Sequence, residues 1–124
     1  MNWVRAHWIV GTATLVIFLL TGAYMRWIRV PHVPQLDDVT RAVYRSRHLF
    51  LLLAAVSNLA LAQAPPAKQR AQRVVSILVL AAPALFLAAF MTEPAQGING
   101  APFSQIALYL LFAAAVVLAV TRYR

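Results

Sequence analysis

The sequence predicts an all-α protein: a four-helix transmembrane bundle with short loops and both termini on one side of the bilayer. Three observations carry that expectation. Stretches without a formal charge cover residues 6–25, 48–67, 74–92 and 94–121 and hold 20, 20, 19 and 28 residues. A spanning helix needs about 20 apolar residues at about 1.5 Å rise each. The 124 residues are 62% hydrophobic, with a mean hydropathy of +0.72, which excludes disorder and argues against an ordinary soluble domain. The breaks between stretches hold the charges, and prolines fall in or near each of the three connections. Four spans exhaust the length, so the expectation is one integral membrane domain, 1–124, with spans near 4–27, 44–64, 74–92 and 102–121.

Each element follows from its residues. The first helix is expected from Trp3 to Trp27, with Trp3 and Trp8 at one interface and Tyr24 and Trp27 at the other, where amphipathic rings meet headgroups. Its apolar run is long and no A-x-A pattern follows it, so it reads as an uncleaved span rather than a signal peptide. Gly11, Leu15, Phe18 and Gly22 share one face, and the glycines allow a neighbouring backbone to approach closely. Pro31 and Pro34 break the helix. Asp37 and Asp38 suit the N-cap of a second helix starting near Val39. The first turns of that helix, with Arg41, Tyr44, Arg45 and Arg47, belong in the headgroup layer, and Pro65-Pro66 ends it. The third helix is expected from Val74 to Thr92, kinked at Pro83 and ended by Glu93-Pro94. The segment AQGINGA turns the chain. Pro102 then opens a fourth helix that runs to about Val120.

Lys and Arg number 11 against 3 Asp and Glu, a net charge of +8. These charges flank apolar spans, so they point to topology and anionic lipid, and no nucleic acid partner is expected. With both termini on one side, that side carries six positive charges (Arg5, Lys68, Arg70, Arg73, Arg122 and Arg124) and the other five, together with all three acidic residues. The expectation is a multi-pass protein of the bacterial inner membrane with cytoplasmic termini. The absence of cysteine excludes disulfides, Cys-ligated metals and covalent c-type haem.

The candidates for chemistry are few. His7 and His48 could serve as axial ligands of haem b, or as interfacial polar residues. The run HWIVGTATLVIFLLTG, from His7 to Gly22, resembles the first helix of bacterial four-helix di-haem b-type cytochromes, and His48 falls where their second-helix ligand lies. The resemblance implies haem binding and electron transfer with quinone. The third and fourth helices contain no histidine, so this chain departs from that family's ligand set. His7 and His48 should differ in height by about 20 Å, so a haem would have to lie between subunits. His32 is given no role. Arg45, Arg47 and Asn58 are candidate contacts to propionate, lipid or quinone, and Asn58 could equally make an interhelical hydrogen bond. Arg41, Arg45 and His48 fall on one face. The segment YRSRHLFLLLAAVSNLALA and the MTEP turn are similar to small bacterial inner-membrane proteins without assigned function. No Asp, Glu, Lys or Arg lies deep in a span, which argues against a proton- or ion-coupled transporter. No nucleophile–base pair or phosphate loop appears. The leading expectation is a non-catalytic inner-membrane protein that packs with itself or with a larger complex. A haem-binding module is the alternative, and a small oligomeric transporter or channel the second.

Overall fold

The computed structural model describes residues 2–65, 68–97 and 99–122. Four helices carry the chain: α1 (Trp3–Ala23), α2 (Asp38–Gln63), α3 (Gln69–Gln96) and α4 (Pro102–Arg122). The expected all-α bundle of four helices is observed. Among the described residues three helices are long and apolar enough to cross a membrane: α1 with its extension to Ile28, α3 and α4 up to Thr121. The second expected span, 44–64, falls in α2, which is long enough but less apolar. Arg41, Arg45, Arg47, His48 and Asn58 all lie on it. The protein is thus a helical membrane protein whose most polar helix is an inner one.

Several boundaries differ from expectation. α1 passes into a π turn, Tyr24–Ile28, before the proline-bearing connection, which holds a short 3-10 turn, Val33–Gln35. At the other end Asn2 caps α1 by accepting from the Arg5 amide, 3.2 Å. The α2 start is as the acidic pair implies: Asp37 accepts from the Thr40 amide at 2.9 Å. The third helix begins five residues earlier than Val74 and continues past Glu93 and Pro94 to Gln96. Pro94 removes one backbone donor without stopping the helix. Gly97, with φ at 71°, does end it, in a conformation that side-chain-bearing residues rarely adopt. α3 also runs unbroken through Pro83, which is buried.

The helices pack chiefly in chain order, α1 on α2, α2 on α3 and α3 on α4, with a smaller α1–α3 contact. Small residues allow these approaches. Ala54, Ala82 and Ala107 are fully buried among Leu51, Phe86 and Phe90, and Val75, Val79 and Ala114 form a second cluster. In lipid such packing drives association, since tails are as apolar as the side chains. Gly11 and Gly22 serve the expected close approach within the chain. A Cβ at Gly11 would fall 2.8 Å from Leu59 Cγ, and one at Gly22 would fall 3.2 Å from His48 Cε1. Trp8 and Trp27 are exposed at opposite ends of the first span. Tyr24 instead turns inward and meets Phe90 edge-on at 6.2 Å.

Candidate functional site

The bundle interior holds two polar networks at opposite ends of α2. The first centres on His7, which is fully buried with Asn58 and Ser76. His7 Nδ1 lies 2.7 Å from Asn58 Oδ1 and Nε2 lies 3.0 Å from Ser76 Oγ. The proton positions follow from the partners. Asn58 Nδ2 donates to the Ala54 carbonyl at 2.9 Å and to the Val79 carbonyl at 3.3 Å, so its Oδ1 must be the acceptor facing His7. His7 therefore donates from Nδ1, and Nε2 accepts from the Ser76 hydroxyl. Ser76 Oγ in turn accepts from Gln72 Nε2 at 3.3 Å. The result is a one-way chain from Gln72 through Ser76 and His7 to Asn58, joining α1, α2 and α3.

Val79 is four residues before Pro83, so its carbonyl is the one that loses its helical donor to the proline. The Asn58 amide occupies that vacancy. A freed backbone group at membrane depth needs such a replacement. Asn58 as an interhelical hydrogen-bonding residue is legible from its type and place. The identity of its partners is not, because they lie on other helices.

The second network joins α2, α3 and α4. Arg47 Nε donates to Glu93 Oε2 at 2.5 Å, with the Glu93 side chain fully buried. Glu93 Oε1 accepts from the Ser104 amide at 2.8 Å in the first turn of α4. From sequence, Glu93 reads as a helix-end residue or, with Asp37 and Asp38, as part of a small acidic cation site. It instead caps the following helix and holds an arginine 46 positions away in sequence. The other two carboxylates are separate: Asp37 caps α2 and Asp38 pairs with Arg41. Among the described residues no group of three metal-ligating side chains occurs.

His48 stands apart from both networks. Its ring stacks on Phe18, with centroids 4.1 Å apart and planes 13° from parallel. Thr21 Oγ1 donates to the Phe18 carbonyl at 2.9 Å, so it accepts from His48 Nδ1, 3.0 Å away. Nε2 then carries the lone pair. It has no hydrogen-bond partner among the described residues and lies beside Gly22, where an added Cβ would be 3.5 Å away. Gly22 and His48 share a cavity of about 260 Å³ with Met25, Arg26, Val33, Pro34 and Arg45.

The sequence candidates are thus distributed. His7 and Asn58 meet inside the bundle, and both ring nitrogens of His7 are engaged. Arg47 is held by Glu93, while Arg45 faces the His48 cavity. His48 contacts α1 at Thr21, fourteen residues beyond His7, which is about 21 Å along a helix axis. His32 has a buried Nδ1 without a partner, the only such side-chain atom among the described residues. Sequence reasoning missed Glu93, Ser76 as a His7 partner, and Arg26. For Arg26 a signal existed: it sits four residues after Gly22, on the face that meets α2.

No family model, no curated protein and no solved structure matches the chain.

Proposed function

We propose that the protein is a non-catalytic multi-pass protein of the bacterial inner membrane that packs with itself or as an accessory subunit of a larger membrane complex, with cytoplasmic termini. The observation that supports this is the state of its buried polar atoms. Each one among the described side chains, His32 Nδ1 excepted, is consumed by another protein group. His7, Asn58, Ser76, Glu93 and Ser104 hold helices together and leave no buried nucleophile or acid free for chemistry. Such groups act as interhelical glue in lipid. The outer helices α1 and α4 bury only 17% of their apolar windows, against 44% for α3, so lipid or protein must cover broad apolar faces. The test is purification in mild detergent from the native membrane. A particle well above the 13.7 kDa of one chain, beyond its detergent, is the expected result, and a stable lone monomer overturns the reading. Reporter fusions at residue 124 should be active only in the cytoplasm.

One observation favours a second reading, a b-type haem module. His48 has the arrangement of a prepared ligand, with Nδ1 fixed by Thr21 and Nε2 open. The same purified sample decides it: a Soret band lost in His48→Ala would displace the first reading, and a colourless protein after growth with ample haem removes the second.

A further inference from the structure

We propose that the cavity between the end of α1, the proline-bearing connection and α2 binds a phosphate group, presented by an anionic lipid headgroup or as free phosphate. The argument begins with the five arginines at this end of the bundle. Three are committed. Arg29 donates to the Tyr44 hydroxyl at 2.9 Å and to the Pro31 carbonyl. Arg41 pairs with Asp38 and Arg47 with Glu93. The remaining two, Arg26 and Arg45, have no hydrogen bond or ion pair among the described residues, and both line the same cavity of about 260 Å³. All three carboxylates of the chain are already used by Thr40, Arg41, Arg47 and Ser104. No internal anion is left for this pair.

Two uncommitted arginines lining one cavity supply the chemistry of phosphate recognition, since planar guanidinium donor sets match phosphate oxygens. Arg26 lies on the π turn, a local widening common at functional sites. The exposed Trp27 beside it sets this level at the headgroup layer. His48 adds selectivity. Its Nε2 is an acceptor, which suits a phosphate that also carries a hydroxyl, such as a glycerol headgroup or the hydrogen phosphate ion. Gly22 leaves the wall open, because a side chain there would meet the imidazole.

The experiment is native mass spectrometry of the detergent-purified full chain with phosphatidylglycerol or phosphatidylcholine added. Wild type is compared with Arg26→Gln/Arg45→Gln and with Arg70→Gln/Arg73→Gln. All four arginines are exposed, so neither pair carries the fold, which circular dichroism checks. The expected result is retention of phosphatidylglycerol over phosphatidylcholine by wild type and by the Arg70/Arg73 pair. Affinity should fall roughly 25-fold in the Arg26/Arg45 pair, about fivefold per arginine. Displacement of the lipid by excess inorganic phosphate assigns the site to phosphate itself, and retention assigns it to the lipid headgroup; each supports the proposal. Equal affinity in wild type and the Arg26/Arg45 pair overturns it. So does an equal loss in the Arg70/Arg73 pair, or equal retention of phosphatidylcholine.

Discussion

At the scale of single residues, Asn58 is the most heavily committed side chain in the bundle. It accepts from His7, donates back to Ala54 one turn earlier, and supplies the donor that Pro83 withholds from Val79. Removing it strands His7 Nδ1 on α1 and the Val79 carbonyl on α3, while the Ala54 carbonyl keeps its helical donor. Asn58→Ala should destabilise the protein by about 1–3 kcal/mol, the cost of leaving buried polar groups unpaired. Part of that penalty belongs to the proline. In a Pro83→Ala background the backbone amide restored at that position can bond to the Val79 carbonyl, so Asn58→Ala should cost about 0.5–1 kcal/mol less there. Equal penalties in the two backgrounds, by thermal or denaturant unfolding in detergent, would show that the Asn58–Val79 contact contributes nothing. The residue types in this network are readable from sequence, because an amide in a lipid-embedded helix must find a partner. Which partner is not. His7 is 51 positions from Asn58 and 69 from Ser76, and no local periodicity couples positions that far apart. His48, read from sequence as a haem ligand or an interfacial residue, keeps one ring nitrogen without a partner among the described residues, whereas Arg47, read as a contact to propionate, lipid or quinone, is engaged by Glu93 and Ser46.

At the scale of elements, the caps matter most. The starts of α2 and α4 are legible because Asp37 and Pro102 are local signals. The end of α3 is not, since Glu93-Pro94 looks like a stop. The helix absorbs Pro94 and ends at Gly97, while the Glu93 carboxylate caps α4. Glu93→Ala removes that cap and leaves the largely buried Arg47 side chain without its carboxylate. A loss of about 3–5 kcal/mol is expected, as for one partner of a buried pair. Amide exchange should rise in the first turn of α4 before it rises elsewhere. Unchanged exchange at Ser104 would argue that the cap is idle. Asp37 provides a pH-dependent case. The Thr40 amide, and then its hydroxyl, hold the Asp37 carboxyl below the ordinary value of its type. Its contribution is therefore present at neutral pH and disappears only as the pH falls through that lowered value. Protection of the Thr40 amide should fall on strong acidification in wild type and show no such step in Asp37→Asn. The same step in both proteins would assign it to another group.

At the scale of the whole molecule, the helix richest in polar groups is an inner one, packed between α1 and α3, while α1 and α4 leave broad apolar faces uncovered and α3, the most apolar, is the most buried of the three candidate spans. α2 holds both networks, one toward each end, and no shared side chain links them. His7→Ala and Glu93→Ala should therefore add in stability to within about 0.5 kcal/mol. A coupling clearly above that would mean that α2 transmits strain along its length. The helix count is legible because charge-free stretches of bilayer length are conspicuous. The ranking of the helices is not, since hydropathy alone gives no sign that α2 owes its lower apolarity to contacts with its neighbours. Packing in chain order also bears on how the molecule is made. Each large interface joins consecutive helices, so each helix after the first meets a packing partner already inserted. The His7–Ser76 bond is the exception. Until α3 arrives, the imidazole has only Asn58, and one of its nitrogens faces lipid or water. Closing that bond marks the moment when the first hairpin ceases to be an independent unit, and an arrest of synthesis before residue 76 would leave the nascent hairpin with a polar atom exposed for quality-control proteases to find.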